Sequence, residues 1–167
     1  MRDGIVITGM GVVTPVGIGV DTYWENLTAG VCGIGEITQT DTTALPIHRA
    51  AEVHGFHPKD FMPTRLALDL EPYQQYAYAA AEQALAQSGL HGSTRVGIVM
   101  ATALHGLTII TKTQTRIDVR GQSAEPKLLT KCMGNLAACQ FSIMHQITGP
   151  SLTVSTACSS GGDAITM

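Results

Sequence analysis

The sequence predicts an α/β fold of layered strands and helices, with a mixed sheet packed between helices, and three observations carry that prediction. Short apolar runs at Gly4 to Thr8, Val96 to Met100 and Ser151 to Ser155 have the length and composition of strands. The stretches between them, rich in alanine, glutamine and leucine, have the composition of helices. Many of the 18 glycines fall at the joints, where they stop one element and open the next.

The bulk properties narrow the class. A chain of 167 residues has one domain's length, enough for a substantial core. Hydrophobic residues make up 44% and charged residues 14%, a globular balance. The net charge of −3, without a basic run, argues against nucleic acid or an anionic membrane as a partner. Cys32, Cys132, Cys139 and Cys158 lack the paired spacing of a zinc site or a disulfide framework. No signal peptide precedes Ile5, and no apolar run approaches the roughly 18 residues of a membrane span. These features point to a cytoplasmic protein with reduced thiols.

Gly4 to Thr8 reads as a buried strand that stops at Gly9-Met10-Gly11. A dinucleotide-binding reading of Gly9-x-Gly11 fails, because the third glycine position holds Thr14 and a loop follows; the glycines are expected to let that loop pass close to the sheet. Asp21 is placed to cap a helix from Thr22 to Leu27, ending at Ala29-Gly30, with Trp24 as core. Val31 to Lys59, punctuated by Gly33, Gly35, Pro46, Gly55 and Pro58, reads as an irregular excursion with one or two strands. His48, His54 and His57 within it do not form a recognised ligand set, so no metal site is expected there.

Asp69 to Gln87 is the strongest helix signal, with Pro72 in its first turn, Ser88-Gly89 as its stop, and a stripe of small residues through Ala77, Ala80, Ala81 and Ala84. Val96 to Met100 is a second strand. Thr108 to Gly121 reads as an amphipathic helix, and Asn135 to Gln146 as a helix of small and apolar residues. His105 has no visible partner and reads as structural.

The most informative stretch is Thr148 to Gly162: a strand, a sharp turn and a helix start, with Cys158 at the turn and only small residues for four positions after it. Such a turn lets a substrate carbonyl approach the N–H of Cys158, and thiolate, the reactive form, is favoured by the positive end of a following helix. The chemistry this suits is covalent catalysis, in which the thiolate attacks an acyl carbonyl and holds the acyl group as a thioester. From spacing alone, a small buried cysteine is an equal reading.

Gly149-Pro150-Ser151-Leu152-Thr153-Val154-Ser155-Thr156-Ala157-Cys158-Ser159-Ser160-Gly161 closely resembles the active-site segment of the β-ketoacyl-acyl-carrier-protein synthases. Ile5 to Gly17, Gln75-Tyr76-Ala77 through Gln87-Ser88-Gly89-Leu90, and Gly134-Asn135-Leu136-Ala137-Ala138 agree with it in order, so the resemblance spans nearly the whole chain. It implies a thiolase-like fold, of which residues 1–167 would be the N-terminal half, and a homodimer. The implied activity is the decarboxylative condensation of an acyl group on Cys158 with a malonyl thioester, in fatty-acid or related polyketide elongation. The partner would be acyl carrier protein, whose phosphopantetheine arm carries the substrates, with no further cofactor.

By the same resemblance Leu104 is an apolar gate at the bottom of the acyl channel, with an ordinary loop leucine as the plain alternative. Leu128 and Leu129 match residues that reach the partner's acyl pocket across the dimer interface. The sequence departs from the family's pattern at Asp69, where a basic residue is frequent, and at Lys127 and Lys131, where residues are usually apolar or small; buried, unpaired ammonium groups there would cost several kcal/mol, so the lysines are expected at a rim. The chain ends at Met167, inside the helix after the nucleophile. The family's two catalytic histidines and lysine belong to a second half, and none of His48, His54, His57, His91, His105 or His145 stands in their context. An alternative is therefore a non-catalytic fragment, or a subunit of a split synthase acting in dimerisation. A biosynthetic thiolase shares the fold but not the wording of the Cys158 turn.

Overall fold

The computed structural model describes residues 4–90 and 95–167. In chain order the elements are β1 (Val13–Thr14), β2 (Gly17–Ile18), α1 (Val20–Thr28), β3 (Ile34–Glu36), β4 (Arg49–Ala51), α2 (Thr64–Asp69), α3 (Pro72–Ser88), β5 (Ile98–Ala101), α4 (Leu107–Arg120), α5 (Leu128–Cys132), α6 (Leu136–Met144), β6 (Ser151–Val154) and α7 (Ser160–Thr166). The mixed α/β class is as predicted. Among the described residues the strands form three separate pairs, β1–β2 and β3–β4 antiparallel and β5–β6 parallel. Two compact units are present, one holding the chain up to Phe61 with Ala79–Gly89, the other Met62–Tyr78 with the chain from Leu90 onward.

In the first unit the segment expected as a buried strand is not one. Ile5, Val6 and Ile7 are exposed, and no strand pairs with them among the described residues. Apolar composition alone does not make a strand; a neighbour must take up its N–H and C=O groups. The following residues are held by side chains of α3. The Met10 N–H donates to Gln87 Oε1 at 2.7 Å, the Val12 N–H donates to Gln83 Oε1 at 3.1 Å, and Gln83 Nε2 donates back to the Val12 carbonyl at 3.3 Å. A Cβ on Gly9 would strike the carbonyl of Ala84, and one on Gly11 the carbonyl of Ala80. Two residues along an extended chain advance about 6.5 Å and four residues of a helix about 6 Å, so the two glycines fit over the two alanines. The glycines thus serve a close backbone approach, as expected, but to a helix.

Helix α1 starts after Gly19, two residues before the expected cap, which puts Asp21 in the first turn beside the positive helix end. Trp24, expected in the core, is 62% exposed. The helix is instead fastened through the face that carries Tyr23 and Asn26, where Asn26 Nδ2 donates to the Val16 carbonyl at 2.7 Å and the Tyr23 backbone crowds Gly17. That orientation turns Trp24 and Leu27 outward. The irregular excursion contains the β3–β4 hairpin, with Ile34 opposite Ala51. Beyond it, Glu52 accepts the N–H and hydroxyl of Thr38 and the N–H of Gln39, which holds its carboxyl below the ordinary range. His48 meets the Thr42 hydroxyl at 3.1 Å and His54 lies 4.0 Å from Glu52. No group of three or more histidine, cysteine or acidic side chains converges among the described residues, and His91 lies outside them.

In the second unit the long helix begins at Pro72, not Asp69. Pro72 disfavours helical geometry in Glu71 before it and has no N–H to continue a helix; α2 ends at Asp69, Leu70 is extended, and Pro72 opens α3. The deepest line of α3 here is Gln74 and Tyr78, one turn apart. Tyr78 meets Phe141 of α6 edge-on, with ring centroids 5.1 Å apart, and Ala137, Ala138, Ile98 and Ile147 complete the core. Strand β5 runs parallel to β6, with Ile98 beside Ser151 and Ala101 beside Val154, and α6 and α7 pack on the pair. Helix α4 ends at Gly121 in the left-handed conformation (φ +61°), as predicted, but its covered residue is Thr113; Ile110, Ile117 and Val119 face outward. No helix among the described residues is long and apolar enough to cross a membrane.

Candidate active site

Cys158 lies where the sequence places it, in the middle of a single 3-10 turn, Ala157–Ser159, between β6 and α7. The turn is strained. Ala157 has φ +54°, one of two non-glycine residues with positive φ among the described residues, and a Cβ makes that conformation unfavourable by about 1 to 2 kcal/mol.

What holds the turn is a set of hydroxyls. Ser160, 4% exposed, accepts the Thr156 N–H at 2.8 Å and donates to the Ala157 carbonyl at 2.6 Å, bridging both sides of the strained residue. Asp163, in the first turn of α7, accepts the Thr156 hydroxyl with Oδ2, and Ser159 Oγ lies 3.1 Å from the same oxygen and 2.8 Å from the Thr156 carbonyl. Cys158 is thus flanked on each side by residues tied to α7, while its own side chain is exposed. The residues after Cys158 are more than small. Their hydroxyls, with an acidic residue in the following first turn, are a recognisable helix-start pattern, and that signal locates the scaffold.

The three predicted apolar contacts fall on two segments. Leu104, 72% exposed, sits in the bend after β5, where Thr102 Oγ1 donates to its carbonyl at 2.9 Å. Leu128, half-buried, opens α5, and Leu129 beside it is 67% exposed. These segments touch: His105 Nδ1 lies 2.6 Å from the Cys132 carbonyl, and a Cβ on Gly106 would come within 2.6 Å of Cys132. No described contact ties either segment to Cys158. A cavity of about 230 Å³ opens between the strand pair and the helices, lined among others by Tyr73, Tyr76, Met100, Thr102, Gly134 and Thr153. None of the four predicted site residues lines it.

The two lysines expected at a rim are paired. Lys127 Nζ lies 2.6 Å from both carboxylate oxygens of Asp69, and Lys131 Nζ lies 3.4 Å from Glu125. The hydrogen bond from Lys127 holds the Asp69 carboxyl below its ordinary range. Near α5, burial pushes the Tyr73 phenol up to about 12, with Cys132 and Glu71 adding to the shift, so its hydroxyl remains a donor to the Lys131 carbonyl at 3.2 Å.

Comparison with known proteins bears on this arrangement. The family model described as "Beta-ketoacyl synthase, N-terminal domain" matches residues 2–167. The 3-oxoacyl-[acyl-carrier-protein] synthase 2 of Vibrio cholerae is 35% identical over 162 residues, and that of Staphylococcus aureus 31% over 166. The matches cover 94% and 96% of this chain but 39% and 40% of those proteins, so the chain spans about two fifths of the relatives' length. Among solved structures, the ishigamide ketosynthase/chain length factor superposes with a TM-score of 0.78 at 26% identity, covering 90% of this chain and 39% of that one. A type II polyketide ketosynthase solved with its acyl carrier protein has the same fold, with a TM-score of 0.75 at 23% identity over 96% of this chain and 40% of that one.

Proposed function

The chain belongs to the β-ketoacyl synthase family, matching its N-terminal domain, and from that premise we propose that it supplies the nucleophile of a condensing enzyme that elongates acyl chains in fatty-acid or polyketide synthesis. The observation that carries the reading is Cys158, exposed on a strained turn that hydroxyls and Asp163 fasten to the start of α7.

In the proposed reaction the Cys158 thiolate attacks the thioester carbonyl of an acyl group delivered on acyl carrier protein. The carrier's phosphopantetheine thiol departs and a Cys158 thioester remains. A malonyl thioester then loses carbon dioxide, the resulting carbanion attacks the Cys158 thioester, a carbon–carbon bond forms, and the Cys158 thiolate is released as the leaving group. The N–H of Cys158 would supply one donor to the oxyanion that forms at each attack. Leu104, Leu128 and Leu129 would contact the acyl chain, the last two across a homodimer interface. The two histidines and the lysine of the family's second half would complete the site in the whole protein.

The experiment is a condensation assay with the whole protein, an acyl-carrier-protein thioester and malonyl-carrier protein, following the β-ketoacyl product. The reading requires product from the wild type and none from Cys158→Ala. Equal product from both would refute it.

A further inference from the structure

Helix α5 is held from outside. It has five residues, too few to be stable alone, and its carbonyls at the C-terminal end lack partners within the helix. Side chains of other elements take them up. Gln74 Nε2 donates to the Thr130 carbonyl at 3.2 Å, the Tyr73 hydroxyl lies 3.2 Å from the Lys131 carbonyl and 3.4 Å from that of Met133, and His105 Nδ1 meets the Cys132 carbonyl at 2.6 Å. A carbonyl only accepts, so Nδ1 carries the hydrogen. Two of these donors come from α3. His105 comes from the bend that carries Leu104.

Two glycines fit this histidine. Gly106 has φ +69°, and a Cβ there would meet the Cys132 Cα and Cβ at 2.6 Å, so only glycine lets the bend come this close to α5. A Cβ on Gly134 would lie 2.7 Å from His105 Cδ2 and 3.0 Å from Nε2, so the imidazole occupies the space that a side chain at 134 would fill. The ring also lies beside Tyr73, with centroids 6.4 Å apart.

We propose that His105 is a positioning residue: its Nδ1–H bond to the Cys132 carbonyl locks α5, and with it Leu128 and Leu129, to the bend that carries Leu104, so that the three leucines keep one relative placement. The consequence for substrate choice rests on the reading of those leucines as acyl-chain contacts; the lock itself does not.

The test uses the intact protein and three substitutions. His105→Ala removes donor and ring, His105→Phe keeps a ring without the donor, and His105→Asn places an amide donor near the position of Nδ1 without the ring. Hydrogen exchange of amides 128–133 is expected to rise roughly threefold to tenfold in the Ala and Phe variants, the factor that one net hydrogen bond corresponds to, and to return towards wild type in Asn. Gly134→Ala, which pushes the ring away from the other side, is expected to raise the same exchange and serves if His105→Ala does not fold. Unchanged exchange in the Ala variant, or exchange raised in Ala and Asn but not in Phe, overturns the lock. The second readout is the chain-length profile of Cys158 acylation, which a purely structural contact would leave alone; it is expected to shift in Ala and Phe and recover in Asn. A rise in exchange with an unshifted profile upholds the lock and overturns the assignment of the leucines to the acyl chain.

Discussion

The Lys127 ammonium lies 2.6 Å from both carboxylate oxygens of Asp69, fifty-eight positions earlier in the chain. The pair joins two segments that are far apart in sequence. It fastens the start of α5 to the end of α2.

Substituting Asp69 by Asn tests this pair and its pH dependence. The Asp69 carboxyl is held below its ordinary value by the Lys127 hydrogen bond, so its contribution is present above about pH 4 and is lost as pH falls through the lowered value. The gap in thermal midpoint between wild type and Asp69→Asn is therefore expected at pH 7 and expected to close in acid. Because both partners are partly exposed, added salt narrows the gap as well. A gap that does not narrow as the solution is acidified would contradict the assignment.

Gly11→Ala is expected to destabilise the first unit by about 1 to 3 kcal/mol or more, since the new methyl group meets the Ala80 carbonyl, a backbone atom that a rotamer change cannot move. Gly35→Ala is the control, with nothing within 4 Å of its Cβ. Denaturant melts of the two variants should differ clearly, and equal midpoints would sink the packing argument.

Gln74 is fully buried, accepting the Glu71 N–H at 2.9 Å and donating to the Thr130 carbonyl at 3.2 Å. Gln74→Leu keeps the volume and strands both groups, at about 1 to 3 kcal/mol for each. Chemical denaturation should show that loss, with local exchange rising at Glu71 and in α5. A variant as stable as wild type would mean that the two groups find other partners.

Asp163→Ala takes away the acceptor shared by the hydroxyls on either side of Cys158. The expected result is a change of several-fold in the rate of Cys158 alkylation by a small reagent, while Cys32, also exposed, alkylates as before. Parallel rates in variant and wild type would remove Asp163 from the scaffold.

How far the sequence disclosed this structure depended on whether the deciding contacts were local. The turn at Cys158, the stop of α4 at Gly121 and the helix through Asn135 to Gln146 are set by neighbours within a turn or two, and residue order disclosed them. Pro72 carried the break between α2 and α3, a local signal that the composition of the flanking residues masked. Contacts across long separations were not legible. The glutamines of α3 that hold Met10 and Val12, the lysine that answers Asp69, and the carbonyl that answers His105 depend on which elements meet. Trp24 and Ile5 to Ile7 are exposed for a related reason: hydrophobic character says that a residue favours burial, not that a neighbour covers it.

Cys158 as the acyl-bearing nucleophile is tested most directly by the intact mass of the whole protein after incubation with an acyl-carrier-protein thioester, beside a Cys158→Ala control. Wild type is expected to gain the mass of one acyl group and the control none. A wild type that stays unmodified while Cys158 still reacts with a small alkylating reagent, or an acyl adduct that persists in Cys158→Ala, would contradict that role.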